Sequence, residues 1–154
     1  MIVSDAGEDP NYQWNDVSLL TQQVREDFGA EIVWVDPQAA NGGARLPAWA
    51  AFPGVPAWIK GWLDPDRLGK LSDIQREGKY HAALARVTYA KSDDVSWILL
   101  IKPGLSDGLT QDIINYGKLN GSFPQQPTFD QIFDDIQWES YRALGQQIAG
   151  QVLR

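Results

Sequence analysis

The sequence predicts an α/β domain with a mixed sheet and flanking helices. Three observations carry that expectation. A strand–helix–strand pattern occupies the first 35 residues, two β-rich runs follow at 80–90 and 95–102, and an amphipathic helix closes the chain. At 154 residues the chain has the length of one domain. Roughly 70% of the unfolded surface of such a chain is buried on folding, enough for a core without disulfide staples.

The elements follow in order. Met1-Ile2-Val3 is an apolar run ended by the turn cluster from Ser4 to Pro10. A strand this close to the first residue suggests part of a longer chain. Asn15 and Asp16 are candidate caps for a helix with Val17, Leu20, Val24 and Phe28 on one face, and Gly29 is its natural stop. Ile32 to Val35 reads as a strand ended by Asp36-Pro37. Strand, helix and strand in succession predict a parallel sheet with a right-handed crossover.

Residues 37–79 form a Trp- and Pro-rich insert. Five of the nine prolines fall there (Pro37, Pro47, Pro53, Pro56, Pro65), with Trp49, Phe52, Trp58 and Trp62. A short helix from Ala57 to Leu63 would place Trp58 and Trp62 on one face. Tyr80 to Ala90 and Val95 to Lys102 read as a hairpin joined by Lys91-Ser92-Asp93-Asp94. Ile98 to Ile101 is apolar at every position, the mark of a strand covered on both faces. Leu109 to Leu119 reads as a helix ended by Asn120-Gly121. Thr128 and Gln131 have capping-box spacing before a stripe of Phe129, Ile132, Phe133, Ile136, Tyr141, Leu144, Ile148 and Val152. Asp130, Asp134, Asp135 and Glu139 crowd its start, which suits the helix dipole. No internal repeat or low-complexity tract interrupts residues 1–154, which read as one domain.

Composition excludes several function classes. Thirteen basic against 20 acidic residues give a net charge of −7, with no Lys/Arg cluster for phosphates, so nucleic acid is not an expected partner. Cysteine is absent, which removes disulfides, thiolate metal sites and a cysteine nucleophile. With one histidine, His81, a His-rich metal site is excluded. Asp130, Asp134 and Asp135 lack the pattern of a calcium loop. No cofactor or metal is expected. No stretch is apolar enough to span a membrane and no signal peptide is evident, so a cytoplasmic protein is expected, with peripheral membrane contact as an option.

Gly104-Leu105-Ser106-Asp107-Gly108 matches the nucleophile pattern G-x-S-x-G, between a predicted strand and a predicted helix. The competing reading is a plain Gly-rich turn with a serine cap, and Pro103 fits a tight elbow poorly. Candidate bases are His81, which precedes Ser106 in the chain, and Asp5, which follows a strand end. The bland readings are a histidine at the start of a strand and an aspartate bonded to its own turn. Trp49, Phe52, Trp58 and Trp62 form a candidate lipid surface or, alternatively, a flap over the core.

Two stretches resemble the C-terminal part of bacterial patatin-like phospholipases, the lipid acyl hydrolases. The first runs from Ile2 to Tyr12 (I-V-S-D-A-G-E-D-P-N-Y) and on to the helix ending Arg25-Glu26-Asp27-Phe28-Gly29. The second runs from Phe123 to Asp135 (F-P-Q-Q-P-T-F-D-Q-I-F-D-D) into Gln137-Trp138-Glu139-Ser140-Tyr141-Arg142-Ala143-Leu144-Gly145. His81 to Tyr89, the strand leading to Lys102-Pro103, and Ile114-Asn115-Tyr116 are also similar to the family. The insert is not. The resemblance implies part of a three-layer α/β/α fold. It also implies that the family's catalytic serine and aspartate lie upstream of the matching segments. Ser106 then has no nucleophile role, and Asp5-Ala6-Gly7 only superficially resembles the family's D-G-A motif. The expected function is a C-terminal segment of a lipid acyl hydrolase, inactive alone. Its expected partner is the missing N-terminal catalytic portion or a second copy. The alternatives are a small serine esterase using Ser106 with Asp5 or His81, and a peripheral lipid-binding module.

Overall fold

A computed structural model describes residues 1–37, 48–127, 129–130 and 132–153. Five strands form one mixed sheet: β1 (Ile2–Ser4), β2 (Ala30–Trp34), β3 (Leu68–Gly69), β4 (Ala82–Tyr89) and β5 (Ser92–Ile101). The helices are α1 (Asn15–Phe28), α2 (Ala57–Lys60), α3 (Gln111–Leu119) and α4 (Asp135–Val152). No described helix is long and apolar enough to cross a membrane.

The sheet order is β1-β5-β4-β2, with β3 pairing parallel to β4 on the edge that β2 also uses. β1 pairs parallel with β5, while β5–β4 and β4–β2 are antiparallel. β1 and β2 therefore point the same way, as a strand–helix–strand crossover requires, but the β4–β5 hairpin lies between them. That hairpin accounts for the mixed sheet. Its turn is Ala90-Lys91, with β5 already begun at Ser92, so the predicted Lys91–Asp94 link is displaced toward β4.

β5 supplies both faces of the core. Trp97 and Leu99 face the cluster that contains Phe52, Leu84, Ile113, Phe123, Leu144 and Ile148. Ile98 and Leu100 face the opposite side, where Ala83, Ala85, Ile32 and Val3 lie. Each fully buried Leu, Ile or Phe contributes about 1.5–3 kcal/mol. The first cluster is the thicker one, because α3, α4 and the insert all pack on it.

The helices differ from expectation at their starts. α1 begins at Asn15, so the candidate caps Asn15 and Asp16 lie in its first turn, and its cap is Trp14, in the left-handed conformation (φ 60°) and without a side-chain cap bond. Gly29 ends α1 as predicted, at φ 56° with its N–H donated to the Val24 carbonyl. α4 starts at Asp135, capped by Asp134, whose carboxylate accepts the Gln137 N–H at 2.7 Å. The proposed cap pair, Thr128 and Gln131, lies outside the described residues. Phe129 and Ile132 precede the helix and are exposed, so the buried stripe is Leu144, Ile148 and Val152. The short helix of the insert is Ala57–Lys60 rather than Ala57–Leu63.

Candidate functional site

The carboxyl ends of the parallel strands β1 and β5 lie side by side, the position where open α/β sheets place ligands. The Asp5 N–H donates to the Ile101 carbonyl at 2.8 Å and extends the ladder by one step. One residue further along β5, Lys102 turns inward and is 1% exposed. Its ammonium donates to Asp5 Oδ2 at 3.0 Å and to the Gly7 carbonyl at 3.1 Å. It also lies 5.8 Å from the Tyr12 ring centre and 5.5 Å from that of Trp14. Asp5 Oδ1 accepts the Gly7 N–H at 2.9 Å, so both carboxylate oxygens are occupied. A buried cation of this kind persists only when paired and surrounded by acceptors or π faces.

The loop after Asp5 is shaped for this packing. Asp9 accepts the N–H groups of Gln13 and Trp14, both at 2.8 Å, which supports the left-handed backbone at Trp14. Tyr12 donates its hydroxyl to the Pro103 carbonyl at 3.0 Å. Burial pushes that phenol up to about 12, so it remains a donor across the neutral range. Gln125 ties the loop to the distant segment before α4. Its Oε1 accepts the Asp9 N–H at 3.1 Å and its Nε2 donates to Tyr12 Oη at 3.3 Å. A cavity of about 140 Å³ lies beside the ion pair, lined by Asp5, Asp9, Trp14, Asp16 and Lys102 among others.

Ser106 and His81 lie in the neighbouring loops. Ser106 Oγ is buried without a hydrogen-bond partner among the described residues, and so are both ring nitrogens of His81. Burial first, then the charge of Arg67, pushes the imidazole down to about 4, which leaves it neutral at pH 7. Asp5 is engaged by Lys102, so no hydrogen bond joins Ser106 to either proposed base. The strained turn of a nucleophile elbow is also missing. The described non-glycine residues in the left-handed region are Tyr12 and Trp14, not Ser106, and α3 begins only at Gln111. Gly104 has a packing reason instead. A Cβ there would stand 2.9 Å from the Gln75 carbonyl oxygen and 3.2 Å from His81 Nδ1. His81 itself is 2% exposed just before β4, rather than bonded through its side chain to backbone.

The four candidate lipid-contacting aromatics separate. Phe52 is fully buried in the main cluster, and Trp49 is partly buried and packs edge-on against it at 5.8 Å. Trp58 and Trp62 are 68% and 67% exposed. They sit beside Ile2 and Leu153 around a small apolar depression. Among the described residues, no cluster of three acidic or histidine side chains is placed to hold a metal ion.

Sequence reasoning did not single out Lys102, Tyr12, Trp14 or Gln125 as site residues. The available signal was Lys102, a charge placed directly after the all-apolar run Ile98–Ile101. Fold and site together define an α/β protein whose mixed sheet carries a buried Lys–Asp pair at the carboxyl ends of its parallel strands. No known protein family matches the chain, and neither does any curated protein or solved structure.

Proposed function

We propose that this chain is the C-terminal section of a patatin-like lipid acyl hydrolase and performs no acyl transfer by itself. The observation that carries the reading is the unfinished β1 side of the sheet. Among the described residues β1 pairs with β5 on one edge and has no strand on the other, and Met1 and Ile2 are 72% and 58% exposed beside it. An apolar groove of about 650 Å³ opens between α1 and the sheet, lined by Leu20, Val24, Phe28, Ile32, Trp58 and Val95 among others. Unpaired strand edges with apolar flanks invite another chain. A catalytic N-terminal portion, or a second copy, would complete this sheet.

Two further features support the reading. The segments that carry the resemblance, Ile2–Tyr12 and Phe123–Gly145, lie far apart in sequence yet are joined by the Gln125 bonds to Asp9 and Tyr12. The Asp5–Lys102 pair binds that loop in place, and among the described residues no hydrogen bond joins Ser106 to His81 or Asp5.

Fluorophosphonate labelling read by intact mass tests this. The expected result is no adduct on the folded protein, with hydrolysis of an activated short-chain ester at the buffer rate. A stoichiometric adduct at Ser106, with activity lost in Ser106→Ala, would instead establish a small serine esterase.

The exposure of Trp58 and Trp62 favours a second reading, a peripheral lipid contact made by these two indoles. Flotation with liposomes should then carry the wild type and lose Trp58→Ala. A wild type that stays at the bottom of the gradient ends that reading.

A further inference from the structure

The link into α4 and the first turn of that helix leave Phe129, Ile132, Phe133, Ile136 and Trp138 in solvent. We propose that this face docks a basic, amphipathic segment of another protein. Lys or Arg side chains of the partner meet Asp130 and Asp135 beside the Phe133 and Tyr141 rings, and its apolar side chains cover Trp138.

Three observations carry this. First, the exposed aromatics are seated on the core. Phe133 stacks on Tyr141 with ring centres 5.2 Å apart, and Tyr141 meets the buried Phe123 edge-on at 4.8 Å. Trp138 stands one helical turn before Tyr141, on the same side of the buried stripe. Exposed apolar patches on a folded chain mark interaction sites, and aromatic anchors carry much of the energy of such contacts. Second, the charges of the face have one sign. No Lys, Arg or His lies between Lys118 and Arg142, whereas Asp130, Asp134, Asp135 and Glu139 do. Arg142 is taken by Glu139 at 2.7 Å, and among the described residues no cation pairs with the three aspartates. Asp134 is spent on the cap of α4, which leaves Asp130 and the exposed Asp135 for a partner. Third, rings and carboxylates share one place. Asp130 accepts Gln137 Nε2 at 3.3 Å, against the start of α4. Burial first, then Asp134 and Asp130, pushes the Tyr116 phenol up, and Asp130 adds to the burial that pushes Tyr141 up to about 12. Aromatic faces beside carboxylates attract a cation.

This chemistry selects the occupant. Anionic lipid head groups would be repelled by the three aspartates. A second copy on a two-fold axis would set the same acids against themselves, in a chain of net charge −7. The face lies at the opposite end of α4 from Leu153, which borders Ile2 on the β1 side. The proposal therefore stands whether or not another chain completes the sheet.

NMR of the isotope-labelled protein, titrated with a synthetic amphipathic helix of Leu, Trp and Arg about 18 residues long, tests the face. Saturable shifts are expected at the amides from Phe133 to Tyr141 and at the Trp138 indole. Trp138→Ala should weaken binding roughly tenfold, and Asp130→Asn combined with Asp135→Asn roughly three- to tenfold. The same charge change at the hairpin, Asp93→Asn with Asp94→Asn, should alter binding by less than about twofold. Unchanged spectra elsewhere verify that each variant folds, and about 0.5 M salt should weaken the wild-type complex without any substitution. Shifts that do not saturate by about 1 mM peptide, or that centre on another face, overturn the proposal. So does a hairpin variant that loses as much binding as the α4 variant, because net charge alone then accounts for the complex. If phosphatidylglycerol vesicles, or a rise in the concentration of the protein alone, move the Trp138 signals and the peptide does not, the occupant is a membrane or a second copy and the proposal fails.

Discussion

At the scale of single residues, Lys102 is the most consequential side chain that the chemistry of the fold demands. Its ammonium is desolvated, and the Asp5 carboxylate, the Gly7 carbonyl and two aromatic faces replace the lost water. Removing one member of a buried pair leaves the other charge uncompensated, at a cost of about 3–5 kcal/mol. Asp5→Asn should therefore lose stability of that order in urea unfolding, because it leaves the buried ammonium without its counter-charge and sets an amide NH2 against a donor, and Lys102→Ala should lose less because the Asp5 carboxylate that remains is partly solvated. Equal, sub-kilocalorie effects would show that the pair is solvated in solution. His81 gives the second residue-scale prediction. Its folded value of about 4 lies below the ordinary 6.5, so the unfolded chain takes up a proton first as pH falls. Stability from this group is fully present above pH 6.5 and is lost as pH drops through 6.5 toward 4. The loss between pH 7 and pH 4.5 should be on the order of 2–3 kcal/mol. His81→Leu should flatten that part of the pH–stability curve, and a curve of unchanged slope would assign the acid sensitivity elsewhere.

At the scale of elements, α1 and α4 make an instructive pair. Both have an apolar stripe, yet α1 buries no residue whereas α4 buries Gln137, Ser140, Leu144, Ile148 and Val152. Local opening free energy follows buried apolar contact. Hydrogen exchange should thus find the amides of α1 exchanging far sooner than those of α4, β4 and β5. Slow exchange throughout α1 in dilute protein would mean that something covers its face. Stripe spacing alone did not separate these helices, because the difference lies in what the rest of the fold sets against each stripe. Signals read from a few neighbouring residues fared better: the Gly29 stop, the two-sided burial of Ile98–Ile101 and the hairpin are all present. Cap chemistry was less legible. Asp134 caps α4 through the Gln137 N–H, while Asp9 bonds the backbone ahead of α1 from five residues before Trp14. The aromatic insert was the least legible part. Phe52 and Trp58 stand six residues apart in similar composition, and only long-range packing makes one core and the other surface. The candidate site was half legible. Asp5 was visible as a residue at a strand end, but its partner lies 97 positions away, and no local pattern connects them.

At the scale of the whole molecule, the sheet is covered unevenly. One face carries α3, α4 and the insert, and its cluster includes the fully buried Phe52, Leu68, Ile113, Leu144, Ile148 and Val152 from those parts and Phe123 from the link between the two helices. On the other face Tyr12, Trp14 and Ile74 cover Ala83 and Leu100 at one end, while α1 stands off the strands, with the groove between them continuing toward Val3, Trp34 and Leu100. Exposed apolar surface of this extent marks an interaction site on a folded protein. The folded chain should therefore enhance the fluorescence of anilinonaphthalene sulfonate at neutral pH, a response that ordinarily signals a loosened core. Near-UV circular dichroism separates the two causes, since fixed tryptophans in a native core retain their signal while a molten state loses it. Val95→Asp places a charge in the groove at a position already 41% exposed, so it should cut dye binding several-fold while costing little stability. If the dye stays dark and light scattering gives a monomer at every concentration, the face is closed in solution and the case for a partner on the β1 side fails. If the dye stays dark and the protein is a dimer that Ile2→Lys dissociates, a second copy completes the sheet. Bright dye on a monomer with an intact near-UV signal leaves the face open for a different chain.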